Sequence, residues 1–334
     1  MSGAGDVFRP AAPAAAERVA WPAGWGTRFL VFVDVEEEFD WAAPPDRTRH
    51  ATSAVGAFPA AHRRFADRGV PLACMVDHPI ATDPSAAAIL RDMLADGRSA
   101  VGAQLHAWVT PPHEEALTPF NSFPGNLPEA LEAAKIDVLT AAIEAGIGVR
   151  PSAYRAGRYG IGPRTLRLLR ERGYRIDSSM RARYAYAGEG GPDFAAIGPH
   201  AFRREGMVEL PLTTVFTGAL RRHGAGLYAK LGTVPKARGA AARLGLLSRV
   251  ALTPEGMPLA DALAAIDAGL EEGVGLLSLS FHSPSLVPGF TPYVRDAADL
   301  AAFWRWWDAV LDRLAARGIV PTTLAEVEAA TLLA

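Results

Sequence analysis

The sequence predicts an α/β protein whose parallel β-strands form a barrel with the helices on the outside. Strand-like segments alternate with helix-like segments of ten or more residues, about seven such strands are present, and no clear linker divides the 334 residues. This alternation is typical of a parallel sheet covered by helices. About seven strands in one chain of this length favour a single-domain barrel over an open sheet.

The predicted strands are short apolar runs, of which RFLVFVDVE at 28–36 is the strongest. In chain order they cover 28–36, 70–76, 99–105, 152–156, 174–179, 195–198, 207–212 and 274–283. The predicted helices cover 53–68, 84–96, 128–146, 162–172, 258–272 and 297–317, and one more helix follows GIVPTT at the C-terminus. Proline lies in the first turn of the 84–96 segment, and glycine ends two others, as is common at helix termini.

Composition limits the class of protein. The chain is 49% hydrophobic and 21% charged with a net charge of −2, so its global charge predicts no nucleic-acid partner. The one cysteine, Cys74, excludes an internal disulfide framework and is predicted to be buried, because it lies in the apolar run VPLACMV. No apolar run is long enough to span a membrane, and the N-terminus lacks a signal-peptide pattern, so we expect a cytoplasmic protein.

The predicted domain organisation has three parts. Residues 1–26 are rich in Ala and Pro and are predicted to form a leader that is either flexible or lies along the surface, while residues 27–334 are predicted to form the barrel. A basic insertion around 217–254 stands apart, because no acidic residue occurs between Glu209 and Glu255. Its simplest interpretation is a solvated basic surface, and the alternative is a lid or platform for an anionic substrate or a membrane surface.

Polar side chains follow the predicted strands at one rim. Catalytic groups of parallel barrels lie at the C-terminal ends of the strands. Six strands end in ionisable or amide groups, namely Asp34 and Glu36, Asp77 and His78, Gln104 and His106, Arg155 with Arg158 and Tyr159, Asp177, and His282. One such strand end would be uninformative, but six at one rim predict a functional site.

The spacing of these residues narrows the chemistry. Asp34 and Glu36 are two residues apart, so they share one face of their strand, and Gln104 and His106 do the same on another. Two carboxylates and an imidazole that converge on one cavity suit a divalent metal with an adjacent base. His282 would bring a second imidazole from the last strand.

Simpler interpretations exist for several of these residues. EEEFD is acidic enough to form a solvated loop, and we expect Glu37 and Glu38 to do so. A single histidine such as His106 is more often a hydrogen-bonded core residue than a ligand. Ser283 lacks the sequence context of a serine nucleophile. Helical spacing predicts packing in the core for Trp304, Trp306 and Trp307.

Five short motifs in order resemble the polysaccharide deacetylase family of the NodB-homology, carbohydrate esterase 4 type. They are VDVEEEFDW, VGAQLHAW, YRAGRYG, IDSS and LSLSFHSPS, within a resemblance that runs from about residue 28 to 325. The wording H-x-W-x-T-P-P, R-A-G-R-Y-G and H-S-P-S also resembles a bacterial subgroup labelled WalW-like. The resemblance implies a distorted (β/α)7 barrel and the metal-dependent removal of N-acetyl or O-acetyl groups from sugars.

The resemblance also implies roles for the matching residues. Asp34 would be the general base for the attacking water, and Arg155 would orient it by a charge-assisted pair. Glu36 and His106 would be metal ligands. His282 would be the general acid that protonates the leaving amine.

The other rim residues are expected to contact the substrate. The backbone N–H near Tyr159 would help to hold the oxyanion. The remaining candidates for substrate binding are Arg158, Asp77, His78, Trp108 and Asp177.

The sequence departs from the family pattern at Gln104. The related motif reads glycine, any residue, histidine, any residue, histidine, but Gly102 is followed by Gln104 at the first histidine position and by His106 at the second. In an alternative register His106 is the first ligand and the second position falls at Thr110, so one histidine is missing in either register. Gln104 could ligate through its side-chain oxygen, which would suit ions other than zinc. Alternatively, His78 or His113 could complete the shell, or the site could have lost its metal.

The sequence therefore predicts a metal-dependent deacetylase acting on an amino sugar or glycoconjugate, with zinc as the expected metal and cobalt, manganese or nickel as alternatives. The substrate would be an acetylated saccharide, and an anionic one would match the basic insertion. Two other functions stay open. One is a metal-free carbohydrate-binding pseudoenzyme, and the other is a hydrolase or lyase of a non-sugar C–N bond.

Overall fold

A computed structural model describes residues 7–332 of the chain. The strands are β1 (Arg28–Val35), β2 (Leu72–Val76), β3 (Ala100–Leu105), β4 (Ala153–Ala156), β5 (Ile176–Asp177), β6 (Phe202–Arg204), β7 (Met207–Glu209), β8 (Thr214–Thr217), β9 (Ser248–Ala251), β10 (Leu276–His282) and β11 (Val320–Pro321). The helices are α1 (Phe58–Ala66), α2 (His78–Thr82), α3 (Pro84–Leu94), α4 (Glu129–Ile147), α5 (Thr165–Glu171), α6 (Gly224–Leu231), α7 (Ala237–Arg243), α8 (Leu259–Glu271), α9 (Ala297–Ala316) and α10 (Leu324–Leu332).

Seven parallel strands form the main sheet in the order β10-β1-β2-β3-β4-β5-β7. Strand β11 pairs with the start of β1, and β6 adds to β7 in an antiparallel hairpin. The long connections between neighbouring parallel strands contain the helices, as parallel pairing requires. The predicted single-domain (β/α)7 barrel is confirmed.

The barrel is distorted where it closes. In residues 7–332, β7 and β10 share no strand ladder, and single main-chain hydrogen bonds span the gap between them. The N–H of Thr213 donates to the Ser278 carbonyl at 3.1 Å, and the N–H of Ser280 donates to the Leu252 carbonyl at 3.1 Å. The gap is thus filled by the chain that leads into and out of the β8–β9 ribbon.

Alternate residues of β1 point to opposite faces of the sheet, so the strand contributes apolar side chains to the core on both sides. Leu30 and Phe32 belong to the apolar cluster inside the barrel, whereas Val31 and Val33 pack beneath the surrounding helices with Trp307. All five are at most 1% exposed. Complete burial of side chains of this size contributes about 1.5–3 kcal/mol each relative to exposure, so β1 is a central stabilising element.

The helix ends follow their capping residues. The Asp83 side chain caps α3 by accepting from the N–H groups of Ser85 and Ala86, with Pro84 in the first helical position. Helix α4 ends at Ile147, one residue beyond the prediction, because Gly148 adopts the left-handed conformation with φ of 87°.

Three parts of the predicted organisation need comment. The strand predicted at 195–198 is wrong: that segment turns back so that β6 and β7 can pair as a hairpin. The basic insertion forms α6, α7 and β9, and β9 pairs with β8. Residues 1–6 of the predicted leader lie outside the described residues, and in the rest of it Val19 and Trp25 are buried against the barrel. The boundary between residues 26 and 27 stays a prediction.

Buried aromatic packing accounts for the tryptophans of α9. Trp306 and Trp307 are 4% and 1% exposed, and Trp304 packs partly buried against the same core. Cys74 is also buried, and burial raises the pKa of its thiol. Both predictions are confirmed. Across residues 7–332, no helix combines the length and the apolar character that a membrane crossing requires.

Candidate active site

A cavity of about 720 Å³ opens at the C-terminal ends of the barrel strands. The six residues predicted as base, acid, base-orienting group and metal ligands all line it, namely Asp34, Glu36, Gln104, His106, Arg155 and His282. Its volume falls within the range of small-molecule sites in proteins, about 300–1,000 Å³. The strand ends therefore converge as a parallel barrel requires.

Strand register explains which side chains become neighbours. Asp34 of β1 lies opposite His282 of β10, and Gln104 of β3 lies opposite Arg155 of β4. Glu36 follows directly after β1 and is 2% exposed. Residues paired in register point to the same side of the sheet, so these groups meet inside the barrel mouth.

Arg155 fixes the Asp34 carboxylate. Its Nη1 donates to Asp34 Oδ1, while Nε donates to the Ser178 carbonyl at 3.1 Å and Nη2 donates to Ser178 Oγ at 3.0 Å. Arg155 is 1% exposed, and its guanidinium lies 4.6 Å from the centroid of the Phe32 ring. The arginine is thus held at several points, and its charge-assisted bond gives Asp34 a defined orientation.

Ser178, rather than Asp177, is the residue of the IDSS motif that contacts the cavity residue Arg155, which donates to both its carbonyl and its hydroxyl. Asp177 is buried on the opposite side, where its oxygens accept from the N–H and hydroxyl of Ser179. Adjacent strand residues point to opposite faces, and Ile176 is already inside the barrel, so Asp177 cannot be. The prediction that Asp177 contacts substrate is corrected by this placement.

His282 is paired with a carboxylate that the sequence did not single out. Its Nδ1 lies 2.6 Å from Glu255 Oε2, its backbone N–H donates to Glu255 Oε1 at 3.0 Å, and its Nε2 lies 3.5 Å from Asp34 Oδ2. Burial lowers the pKa of His282, but the carboxylates of Glu255, Glu36 and Asp34 outweigh burial and raise it to about 10. The imidazolium form is therefore stabilised at neutral pH.

Three side chains converge at the base of the cavity. Gln104 Nε2 donates to Glu36 Oε2 at 3.0 Å and lies 3.3 Å from His106 Nε2, and His106 Nε2 is 3.5 Å from Glu36 Oε2. Burial raises the pKa of Glu36 to about 8, although His282 and His106 act in the opposite direction. We call Glu36, Gln104 and His106 the donor triangle.

Glu37 fixes the orientation of His106. Glu37 Oε2 lies 2.7 Å from His106 Nδ1, and Trp108 Nε1 donates to Glu37 Oε1 at 2.8 Å. A carboxylate at Nδ1 holds the proton there and directs the free electron pair of Nε2 toward the triangle. The expectation that Glu37 is solvated is wrong, because Glu37 is 0% exposed. Glu38, by contrast, is partly exposed and caps residues 53 and 54.

Asp77 and the two nearby histidines lie away from the cavity. Asp77 accepts from the N–H of Glu37 at 2.6 Å and caps α2 by accepting from Ile80, so its role is to shape the loop after β1. Burial and the adjacent Glu37 raise the pKa of Asp77 well above its usual range. His78 and His113 do not line the cavity, and His113 is exposed. The expected substrate contacts of Asp77 and His78 are corrected, and neither histidine completes the donor triangle.

Tyr159, Arg158 and Trp108 do line the cavity, as predicted for substrate contacts. Arg158 and Tyr159 have φ values of 54° and 59°, in the left-handed region that non-glycine residues seldom adopt. Such local strain is common at functional sites. Trp108 stacks on the His106 ring with centroids 4.3 Å apart.

Two further aromatic residues on the cavity wall were not predicted. The Trp41 ring lies edge-on to His282 with centroids 5.1 Å apart and also contacts the Tyr293 ring. Trp41 follows the acidic motif after β1, but nothing in its sequence context separates a cavity residue from a loop residue.

The donor triangle fits a divalent metal ion. Its atoms are 3.0–3.5 Å apart, the spacing of adjacent ligands in a shell with bonds of about 2.1 Å. Glu36 Oε1 and Gln104 Oε1 are buried without hydrogen-bond partners. Since a side-chain amide can exchange its oxygen and nitrogen by rotation, Gln104 can present Oε1 where Nε2 lies.

The charges near the triangle also favour a cation. Five buried carboxyl groups lie at the base of the cavity or in the layer behind it: Asp34 and Glu36 line the cavity, and Glu37, Asp77 and Glu255 lie behind its lining. The guanidinium of Arg155 and the imidazoles of His106 and His282 pair with them. Buried carboxylates in excess require protons or a cation, and a divalent ion supplies the larger compensation.

Two other groups bring acids and an imidazole within reach of a shared ion. They are Asp34–Glu36–His282 and Glu37–Asp77–His106. In the first, Glu255 engages Nδ1 of His282 and favours the charged imidazolium, which does not ligate a metal. In the second, Glu37 already accepts from His106 Nδ1 and from Trp108. The donor triangle is thus the better metal site.

Solved structures that resemble this one include an allantoinase and several proteins described as deacetylases. An allantoinase, Puue, superposes with a TM-score of 0.50 at 15% identity, covering 92% of this chain and 91% of that one. A Mycobacterium smegmatis protein described as a polysaccharide deacetylase has a TM-score of 0.48 at 19% identity, and the match covers 96% of this chain and 98% of that one. A Pseudomonas aeruginosa PAO1 protein with the same description has a TM-score of 0.47 at 18% identity, and the match covers 92% of this chain and 91% of that one.

The superposition on the allantoinase supports the fold and leaves the chemistry to the residues themselves. No protein-family model and no curated protein matches the sequence. Deacetylases recur among the structural neighbours, including a family 4 carbohydrate esterase from Streptomyces lividans in complex with acetate. At 19% identity or less, however, the residues that do the chemistry have to be argued from their own geometry.

Proposed function

We propose that this protein is a metal-dependent deacetylase of the polysaccharide deacetylase type, which removes an N-acetyl or O-acetyl group from an amino sugar or glycoconjugate. One observation supports the proposal most strongly: a single cavity contains an arginine-held carboxylate, a carboxylate-paired imidazole and the donor triangle. Amide hydrolysis needs a base, an acid and a means to activate water, and these three groups match those needs.

Glu36, Gln104 and His106 would hold the metal. A divalent ion bound there lowers the pKa of a water molecule to about 7 and polarises the acyl carbonyl. Zinc is the first candidate, but an amide oxygen in place of an imidazole makes the shell harder, which also admits cobalt, manganese or nickel.

Asp34 is the proposed general base. Arg155 occupies its Oδ1, so Oδ2 is the oxygen free to take the proton of the attacking water. Oδ2 also lies 3.5 Å from His282 Nε2, which places the base and the acid on adjacent sides of the reacting group. Arg155 limits the motion of the carboxylate and so favours one productive geometry.

His282 is the proposed general acid. Glu255 accepts the Nδ1 proton, so Nε2 carries the proton that can pass to the departing nitrogen. A pKa of about 10 keeps this histidine protonated through neutral pH. The Trp41 ring packs edge-on against the imidazole.

Acetate release tests the proposal. Purified protein, stripped of metal and resupplied with zinc, cobalt, manganese or nickel, is incubated with N-acetylated and O-acetylated saccharides. His106→Ala should lose both stoichiometric metal and acetate release, whereas the matched His113→Ala variant, at an exposed site off the cavity, should keep both. Background acetate from every substrate with every metal would refute the proposal.

A second function is favoured by one contact. As oriented in the structure, the Gln104 amide donates to Glu36 and lies beside His106 Nε2, so it can bridge the two ligands without any ion. That arrangement would suit a metal-free carbohydrate-binding protein. Elemental analysis decides between the two: a metal-free protein that still binds acetylated saccharides would support the second function.

A further inference from the structure

Arg181 lies on the wall of the cavity without an acidic partner. In residues 7–332, no carboxylate oxygen lies within 4.0 Å of its guanidinium nitrogens, whereas two other cavity arginines, Arg155 and Arg158, pair with Asp34 and Glu189. Arg181 is only partly exposed. A cation in this position has lost part of its hydration and gained no counter-charge.

Tyrosine rings surround this arginine in place of acids. Its Cζ lies 4.0 Å from the centroid of the Tyr184 ring and 5.7 Å from that of Tyr159. Arg249 approaches the same Tyr184 ring at 3.5 Å, and it too has no acidic partner within the described residues. Cation–π contacts stabilise a guanidinium but do not neutralise it, so this side of the cavity keeps a positive potential.

The main chain holds Arg181 in place. The residue bridges Leu212 in parallel, and the N–H of Ala182 donates to the Leu212 carbonyl at 3.3 Å. This is the stretch by which the chain after β5 stays attached to the barrel. Arg181 is therefore a preorganised part of the cavity rather than a side chain on a free loop.

The acidic residues at the cavity mouth are occupied elsewhere. Asp40 accepts from the N–H of Ala42 at 2.9 Å, and Asp46 accepts from the N–H of Thr48 at 2.8 Å. These contacts shape their own loop. Neither carboxylate pairs with Arg181, and within residues 7–332 the guanidinium has no acidic partner.

We infer that the substrate carries an anionic oxygen group, a carboxylate or a phosphate, which Arg181 binds while the acetyl group lies at the donor triangle. This inference rests on the proposed deacetylase function and narrows its substrate to acidic acetylated sugars. A guanidinium suits both anions, because its planar N–H groups match their paired oxygens. Tyr159, which also lines the cavity, can pack against a sugar ring.

Matched substrates test the inference. Acetate release is measured on N-acetylglucosamine 1-phosphate, on N-acetylmuramate and on neutral methyl N-acetylglucosaminide. We expect kcat/KM for at least one acidic sugar to exceed that for the neutral one by about 10- to 100-fold, the contribution of one charged hydrogen-bonding contact. The two acidic sugars also tell phosphate recognition from carboxylate recognition. Equal values for all three would overturn the inference.

Variants assign the preference to Arg181. Arg181→Met should reduce the ratio of acidic to neutral kcat/KM about 10- to 100-fold, and Arg181→Lys should reduce it less because it keeps the charge. Arg183→Met is the matched control: Arg183 pairs with Glu272 at 2.6 Å and does not line the cavity, so the ratio should not change. An unchanged ratio in both Arg181 variants would reject the assignment.

A binding arm separates this inference from the proposed function. The Asp34→Asn variant, and the same variant with Arg181→Met, are titrated calorimetrically with the three sugars. If no sugar releases acetate but the acidic ones bind more tightly and lose that advantage with Arg181→Met, the deacetylase proposal fails and the anion site stands. If acetate is released without any preference in rate or binding, the anion site fails and the deacetylase proposal stands.

Discussion

Glu37→Gln should weaken metal binding although Glu37 does not line the cavity. The carboxylate accepts two hydrogen bonds, from His106 Nδ1 at 2.7 Å and from Trp108 Nε1 at 2.8 Å. A glutamine has one oxygen for these two donors, so one of them loses its partner in a fully buried place. The His106 ring is then held in its metal-binding orientation less firmly.

The magnitude follows from the lost contact. A buried donor without a partner costs about 1–3 kcal/mol, and removal of a group that orients a metal-bound histidine reduces metal affinity about 10- to 100-fold. At about 1.4 kcal/mol per factor of ten, the two estimates agree. We therefore expect the dissociation constant to rise by one to two orders of magnitude.

Competition with a chromogenic chelator at fixed pH measures this change. The adjacent Glu38→Gln variant is the matched control, because Glu38 accepts only from Ser53 and the N–H of Ala54. Its metal affinity should stay within about twofold of wild type. If Glu37→Gln binds metal as tightly as Glu38→Gln, then Glu37 does not orient a metal ligand and the assignment of the donor triangle is wrong.

Three further outcomes are expected. Glu255→Gln should shift the alkaline limb of the kcat/KM pH profile to lower pH by about one to three units. Burial lowers the pKa of His282 and the Glu255 carboxylate raises it, so loss of that carboxylate lets the pKa fall. Burial raises the pKa of Glu36 to about 8, so below that pH a proton competes with the metal for this carboxylate. The metal affinity measured by calorimetry should therefore fall about tenfold per pH unit below about 8, and an affinity that stays constant would contradict this. Gly157→Ala would place a methyl 2.4 Å from a carbon of the metal-site imidazole and should impair activity, whereas Gly188→Ala, with open space around it, should match wild type in the acetate assay.

The candidate site was predictable where strand periodicity applies. Asp34 and Glu36, and likewise Gln104 and His106, were expected on shared faces, and both pairs line the cavity. Asp177 shows where this reasoning fails, because the sequence does not tell which of two adjacent residues points into the barrel. The motif contains an aspartate next to a serine, and only the burial of Ile176 inside the barrel shows that the serine faces the site.

Residues on loops were beyond such reasoning. Glu255 lies 27 positions before its partner His282, in a loop with no periodic pattern. Glu37 was expected in solvent because acidic runs usually are solvated, yet Trp108 and His106 provide it with buried donors. Charged residues become buried only when distant parts of the chain supply partners, and a sequence does not display those partners.

The sequence by itself determined the barrel class and the strand-end residues, because hydrophobic alternation and the order of strands and helices are local properties of the chain. The tertiary structure alone decided three things: the pairing of His282 with Glu255, the burial of Glu37 behind His106, and the place of Arg181 on the cavity wall with no acidic partner among residues 7–332. Each of these depends on distances between segments far apart in sequence, where burial and charge set the energy. Gln104 belongs to both levels, since its identity was plain from the sequence and its contacts with Glu36 and His106 only from the fold.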